Sequence, residues 1–378
     1  MIEIILTVVF LLLLLNYVYF LLNILWGLNK LLENNTPYVP EEFVSVIIPF
    51  RNESENILNS LNSLSSQEYP KDKFEVIYVN DSSTDGSLEK LLNADKPQNI
   101  SVISVPEHSL SKAFKKRAIS YGIDNSRGEI IVTTDADCVQ NPKWLSSLLS
   151  QFTKDTGFIS GAVKFDYSKN IFKQVQALEF AGLILAGAGL IGSGKPTICN
   201  GANLAFRKSV FRELGGYADQ MHLSSGEDEI LMQKIASETK YKVKFCWDKN
   251  AVVTTNPNKD LKGFIHQRKR WASKGLFYEN KKLVLLLAMI YLFYLSIPLQ
   301  IIFGFFISKI FLLTLVAFLL IKFFLEYQII SKGRELLFDG AVLRYFLIAE
   351  FFQIIYIIVI GVLGAFGNIN WKERFLER

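Results

Sequence analysis

The sequence is poor in the residues that usually carry metal and redox chemistry. Its 378 residues include three cysteines, Cys138, Cys199 and Cys246, and three histidines, His108, His222 and His266. The cysteines match neither a zinc pattern nor a disulfide framework and fit a reducing compartment. The histidines are too scattered to propose a metal cluster. No GxGxxG follows the first strand and no GxxxxGKS or GxxxxGKT occurs, so the glycine-rich cradles of dinucleotide and P-loop sites are missing. There is no internal repeat. A formal net charge of +5 is too weak to argue for nucleic acid, and fits contact with anionic lipid headgroups.

What the chain has in quantity is apolar side chain. Half of it is hydrophobic and 13% aromatic, which excludes disorder. A mean hydropathy of +0.24 is high for a soluble enzyme, yet 20% charged residues is high for a transporter. The combination predicts a soluble domain joined to membrane segments. Ile4 to Asn29 carries no charge and exceeds the roughly 20 apolar residues that span a bilayer. With Glu3 at its start and bulky Trp26, Leu28 and Leu31 at its end, it reads as a retained anchor, residues 1–30, rather than a cleaved signal peptide.

Residues 283–366 contain three more apolar blocks, beginning near Leu283, Ile310 and Tyr345. Two or three of them are expected to span. Lys322 and Glu326, four apart, can pair on one helix face, and charges near a helix end, such as Glu350, are expected to snorkel to the interface. The positive-inside rule puts residues 30–282 in the cytoplasm, consistent with an inner or plasma membrane. A third C-terminal crossing would place Lys372, Arg374 and Arg378 of the 367–378 tail outside, against that rule. A further apolar run, 171–195, is too short and glycine-rich for a clear span and reads as either an interfacial helix or a buried core helix.

Residues 41–282 alternate strand and helix signals: FVSVIIPF (43–50), FEVIYVND (74–81), SVISV (101–105) and GEIIVTTDADC (128–138), with helical stretches between. That alternation predicts an α/β domain with a mostly parallel sheet. Ligands in such sheets bind beyond the carboxyl ends of the strands, where Asn52, Glu53, Asp81, Asp135 and Asp137 fall.

Asp135 and Asp137, two apart at a strand end, can hold one divalent ion, since magnesium uses one or two carboxylates plus substrate phosphates. Asp81 in VNDSSTDGS reads either as an acceptor for a base or ribose or as a turn former. Glu227, Asp228 and Glu229 open a helical stretch, offering either a general base or a solvated acidic helix start. In HQRKRW (266–271), Arg268, Lys269 and Arg270 read either as a juxtamembrane basic patch or, through Arg270, as a diphosphate binder. Trp271 suits a sugar face or the membrane interface.

Taken in order, these residues resemble the family 2 glycosyltransferases with the GT-A fold over roughly residues 43–271. VSVIIPFRNE is similar to the family's opening strand, and VNDSSTDGS to its uracil-contacting segment, with Asp81 the matching acid. SLSKAFKKRAI looks like its lysine-containing helix, with Lys112 matching the donor-contacting lysine. TTDADC corresponds to the metal-binding DxD, NGANLAFRK (200–208) to an acceptor-side segment, and GEDEIL to the ED motif, whose second acid, Asp228, would be the base beside Glu227. QRKRW fits QxxRW through Gln267, Arg270 and Trp271. The resemblance implies a metal-dependent (Mg²⁺ or Mn²⁺), inverting hexosyltransferase in which Asp228 deprotonates an acceptor hydroxyl, a metal at Asp135 and Asp137 offsets departing UDP, and a β-glycoside forms. QxxRW is shared by processive polysaccharide synthases and ceramide-type glucosyltransferases. A membrane-associated acceptor, a lipid, is the expectation, with a growing glycan the rival within the class. A catalytically silent membrane scaffold is the alternative of another class, opposed by the intact acids. A transporter is a third, opposed by the scarcity of charge within the spans.

Overall fold

The computed structural model describes residues 1–33, 42–106, 114–167, 170–218, 221, 226–273, 278, 280–366, 369–371 and 374–376. After a long first helix, α1 (Ile2–Glu33), the chain alternates: β1 (Val44–Phe50), α2 (Ile57–Ser65), β2 (Phe74–Asn80), α3 (Ser87–Asn93), β3 (Ile100–Ser104), α4 (Phe114–Asp124), β4 (Ile130–Thr133). There follow β5 (Val139–Gln140), α5 (Trp144–Leu149), β6 (Thr156–Gly161), β7 (Val163–Phe165), α6 (Ile171–Gly192), β8 (Leu204–Arg207), α7 (Lys208–Glu213) and α8 (Glu227–Glu238). The last part holds β9 (Lys242–Cys246), β10 (Val253–Thr255), α9 (Leu261–Ala272), α10 (Lys281–Phe306), α11 (Ile310–Lys332), α12 (Phe346–Phe366) and a hairpin of β11 (Ile369–Trp371) and β12 (Arg374–Leu376).

The main sheet has seven strands in the order β3-β2-β1-β4-β8-β6-β9. β1 lies parallel to β2 and β4, and β2 parallel to β3, while β8 runs antiparallel to both β4 and β6. The sheet is therefore mixed and mostly parallel, as the alternation predicts. Its central strands are buried on both faces and so read as continuous apolar runs. In register, Phe50 faces Asn80 and Ile47 faces Thr133. The segments leaving β1, β2 and β4 consequently emerge along one edge, and every acid anticipated there sits on it.

Among the described residues, α1, α6, α10, α11 and α12 are long and apolar enough to cross a membrane by length and composition. α6 differs from the others because most of its side chains are buried. It lies against α1, α11 and α12 on one side and the sheet domain on the other, which answers the ambiguity of the 171–195 run: it is a packed core helix. Glycine makes this possible. A Cβ on Gly27 of α1 would overlap the Gly189 carbonyl, and one on Gly192 would overlap Gly27. The two backbones touch at a place where no larger residue fits.

Lys322 and Glu326 pair as their spacing predicts, whereas Glu350 joins them and does not snorkel. Lys322 has no exposed surface and bonds Glu326 at 2.9 Å, Glu350, and Gln353 at 3.0 Å. Tyr17 donates to Glu326 at 2.6 Å, and Tyr294 to Gln353 at 2.8 Å. α1, α10, α11 and α12 thus supply partners for one another's polar groups. α12 also has both ends near the sheet domain. Just before its start the Asp339 amide donates to the Tyr167 hydroxyl at 2.7 Å; Phe264 of α9 packs on Tyr356; and Gly364 abuts Ala272 of α9.

Candidate active site

The turn after β1 is built by local polar bonds. Asn52 takes a left-handed backbone (φ 51°), which asparagine tolerates better than most residues. Its side chain accepts from the Thr84 amide at 2.9 Å, and its own amide donates to Ser83 at 3.2 Å. The Glu53 amide donates to the Ser87 hydroxyl at 2.8 Å. Against the cost of burial, hydrogen bonds from Ser87 and Ser54 hold the Asp85 carboxyl below the usual range. Asn52 therefore braces the β1 and β2 loops against each other and does not line the cavity, whereas Glu53 and Asp81 do. Asp81 is buried and ion-paired to Arg117 of α4, and Arg51 donates to its backbone carbonyl at 3.0 Å.

The second layer lies deeper. Lys115 of α4 reaches Asp135 at 2.8 Å and Glu227 at 3.2 Å. Burial opposes its charge, yet those carboxylates push the ammonium above its ordinary value. Lys112 lies outside the described residues. Lys115, three residues later in the same run of cations, is visible in the sequence, but only the phase of α4 shows that it faces the acids. Asp228, on the first turn of α8, accepts from the Gly201 amide at 2.8 Å and from the Glu229 amide at 2.9 Å. Gly201 therefore ties the 200–208 segment to the acid. Asn203 of that segment is fully buried and bonds the Ala162 and Ala251 carbonyls at 2.8 Å each, which is a structural task. Tyr278 donates to Glu229. Asp137 lines the cavity beside Asp135, and burial together with the Asp137 charge pushes the adjacent Cys138 thiol up, so it stays neutral.

α9 supplies the third layer. Gln267 accepts from Asn258 and from Arg268, both at 2.9 Å. Arg268 is a buried structural cation: its guanidinium pairs with Glu179 of α6, lies over the Trp271 ring at 4.3 Å, and shares Glu179 with the Tyr356 hydroxyl of α12. The motifs do not point to Glu179, although an isolated acid in an apolar run is a signal. Burial draws the Arg270 guanidinium below its ordinary value, against the pull of Glu227, Asp135, Asp228 and Asp137. Even so, an arginine remains charged.

One cavity of about 840 Å³ joins these layers. At one end lie Arg51, Glu53 and Asp81, and in the middle Asp135, Asp137, Glu227 and Asp228. From Trp271 onward the lining becomes apolar: Leu183 and Ile184 of α6, Leu287 of α10, and Ile357 and Ile360 of α12. Asp135 and Asp137 are a pair of hard oxygen donors facing a cavity, and such a pair fits a divalent cation completed by phosphate oxygens.

Residues 45–215 match the model of Glycosyl transferase family 2, so this segment of the chain is similar to that family. It is 32% identical over 209 residues to Glycosyltransferase AglE of Haloferax volcanii, covering 54% of this chain and 65% of that protein. It is 27% identical over 258 residues to a Poly-beta-1,6-N-acetyl-D-glucosamine synthase of Staphylococcus epidermidis, covering 65% of this chain and 58% of that one. The alignments thus span less than two thirds of either relative. Among solved structures, mannosyltransferase PcManGT from Pyrobaculum calidifontis, in complex with GDP-Man and Mn²⁺, superposes with a TM-score of 0.59 at 19% identity, over 95% of this chain and 98% of that one. That likeness is one of fold, the GT-A fold. α8 and α9 lie beyond the matched 45–215 segment, so Asp228 and the QxxRW residues enter the site on geometry and resemblance.

Proposed function

We propose that this membrane protein is an inverting glycosyltransferase that moves a hexose from a UDP-sugar to a membrane lipid, forming a β-glycoside. The observation that carries this reading is the single cavity, acidic and basic at one end and apolar between α6, α10 and α12 at the other. The uracil ring is assigned to the Arg51, Glu53 and Asp81 end, and the lipid to the apolar end. Asp135 and Asp137 would hold Mg²⁺ or Mn²⁺, which when bound supplies positive charge against the diphosphate. Arg270 and Lys115 add fixed cations to the same place, and charge preorganised in this way commonly contributes most to an enzyme's rate enhancement. Glu227 neutralises Lys115 in the absence of donor.

Asp228 is the base. Its carboxylate takes the proton of the acceptor hydroxyl as the hydroxyl oxygen bonds to the anomeric carbon from the face opposite the leaving group. The bond from that carbon to the phosphate oxygen breaks, and UDP departs with the electron pair. Gly201 and Glu229 hold the carboxylate by its two oxygens, which fixes its direction. Gln267 and Trp271 border the acceptor.

The domain reading that goes with this is a cytoplasmic catalytic unit, residues 41–282, crossed out of and back into the membrane by α1, α10 and α11. α12 lies along the interface, its apolar outer face (Phe351, Ile355, Val359) in lipid and both ends on the catalytic side. The tail cations then fall inside, in accord with the positive-inside rule. A C-terminal green fluorescent protein fusion that fluoresces, with an inactive alkaline phosphatase fusion at the same point, is the expected result; the reverse pattern refutes the placement.

The activity is tested with membranes containing the protein, radiolabelled UDP-sugars and Mg²⁺ or Mn²⁺, with Asp228→Asn as the blank. Label that partitions into organic solvent and disappears in the variant supports the reading. Label retained as high-mass aqueous material identifies a polymer synthase instead, the activity named for the staphylococcal relatives.

A further inference from the structure

The reaction centre has a third arm. A second cavity of about 710 Å³ shares Asp137, Phe165, Thr255 and Asn256 with the first, so the two meet at Asp137. Its size falls within the roughly 300–1,000 Å³ of small-molecule sites. It contains none of the residues assigned to the nucleotide, Arg51, Glu53 and Asp81, and none of the apolar residues of α10 and α12. One wall comes from the catalytic domain: Lys164 of β7, Asp166 and Tyr167 just after it, and Thr254 of β10. The other is the connection between α11 and α12, through Glu335, Phe338 and Asp339.

That second wall is a built turn. Glu335 takes a left-handed backbone (φ 69°), its amide donates to the Phe338 carbonyl at 3.1 Å, and the Asp339 amide donates to the Tyr167 hydroxyl at 2.7 Å, pinning the turn to the catalytic domain. The opposite wall is fixed by the Asp166 amide donating to the Thr255 carbonyl at 2.8 Å and by pairing of β7 with β10. The lining mixes carboxylates, an amide, hydroxyls and a lysine with aromatic rings. This combination suits a ligand with many hydroxyl groups around apolar ring faces. A nucleotide would demand a surplus of cations here, and a lipid tail an apolar lining; the cavity has neither.

We propose that this cavity is a saccharide subsite that holds the sugar already present on the acceptor. Resting on the function proposed above, this narrows the acceptor class to a lipid-linked saccharide. Three arms then meet at Asp137 and its neighbours: one for the nucleotide, one for the lipid and one for the acceptor's carbohydrate. The position of the third arm, between the catalytic domain and the α11–α12 connection, places that sugar next to the membrane surface from which its lipid comes.

Asp166→Ala combined with Glu335→Gly tests the subsite, since glycine suits the left-handed backbone at 335. In full-length protein the double variant is expected to raise KM at least tenfold for a polyprenyl-diphosphate-linked disaccharide. It should leave KM for a sugar-free lipid alcohol such as a polyprenol, and hydrolysis of the UDP-sugar by water, unchanged. Equal loss with both acceptors, or no shift with the glycosylated one, overturns the proposal. So does a shift confined to free oligosaccharides, which assigns the cavity to a polymer. A second measurement needs no turnover: saturation-transfer NMR with cellobiose and chitobiose on the purified protein. Signals in the unmutated chain that vanish in the double variant support the subsite; signals absent from the first or unchanged in the second overturn it. Failure of the transfer reaction itself would leave the NMR result standing, so the two readings fail separately.

Discussion

Lys115 and Lys322 pose the same chemical problem in two regions and receive opposite solutions. Each is an ammonium held by two carboxylates: Asp135 and Glu227 for Lys115, Glu326 and Glu350 for Lys322. Lys115 keeps 23% of its side chain exposed and Asp135 keeps 35%, both facing the cavity. Lys322 keeps none, and Tyr17, Tyr294 and Gln353 bond the groups around it. The difference separates a site from a fastening. Charges that serve a reaction must exchange partners, and so they face an opening. Charges that hold helices together are enclosed on all sides, and the bilayer gives them nowhere else to go.

The largest effect expected from breaking this comparison is at the closed cluster. Lys322→Met leaves two carboxylates uncompensated and should destabilise the protein by about 3–5 kcal/mol, whereas replacing all three charges with apolar residues should recover most of that. Thermal unfolding in detergent reads both. Equal Tm values for the single and triple variants would contradict the enclosed-fastening account. At the open cluster, Lys115→Met should spare Tm but lower kcat by about 10²–10³, the usual loss when one preorganised electrostatic partner is removed. A large fall in Tm with unchanged kcat would reverse the two assignments.

Between the clusters sits Glu179, buried yet bordering the cavity. Its pairing with Arg268 fixes α9, and with it Gln267, Arg270 and Trp271. Glu179→Gln should lower kcat by up to about 10²-fold, the scale of an ångström-sized misplacement. A change in donor KM alone would place Glu179 in donor binding instead. The smallest effect is a pure packing one. Gly27→Ala pushes α1 off α6 and should cost about 1–3 kcal/mol, detected as a lowered Tm with kcat preserved, because no charge is moved.

Much of the catalytic half is legible in the chain. β1, β2 and β4 are short apolar runs ending in acids, and a parallel sheet must bring such ends to one edge. That argument alone places Asp81, Asp135 and Asp137. Asn52 is legible as a loop residue at that edge but not as a brace, because a brace is defined by partners thirty residues away. Lys115 and Glu179 are harder for the same reason. One cation among several in AFKKRAI, and one acid at the margin of an apolar run, acquire meaning only from what faces them.

The sequence by itself determined the four strands β1 to β4, the apolar blocks at both ends of the chain and which acids end strands, since these follow from local period, length and turn chemistry. Only the tertiary structure decided that α6 is buried rather than interfacial, that Glu350 is enclosed with Lys322 rather than stretched to the surface, and that the end of α12 lies against α9. Each of these depends on whether a second element, far along the chain, supplies a complementary surface or a polar partner. Burial energy is a property of the pair, so no single segment encodes it.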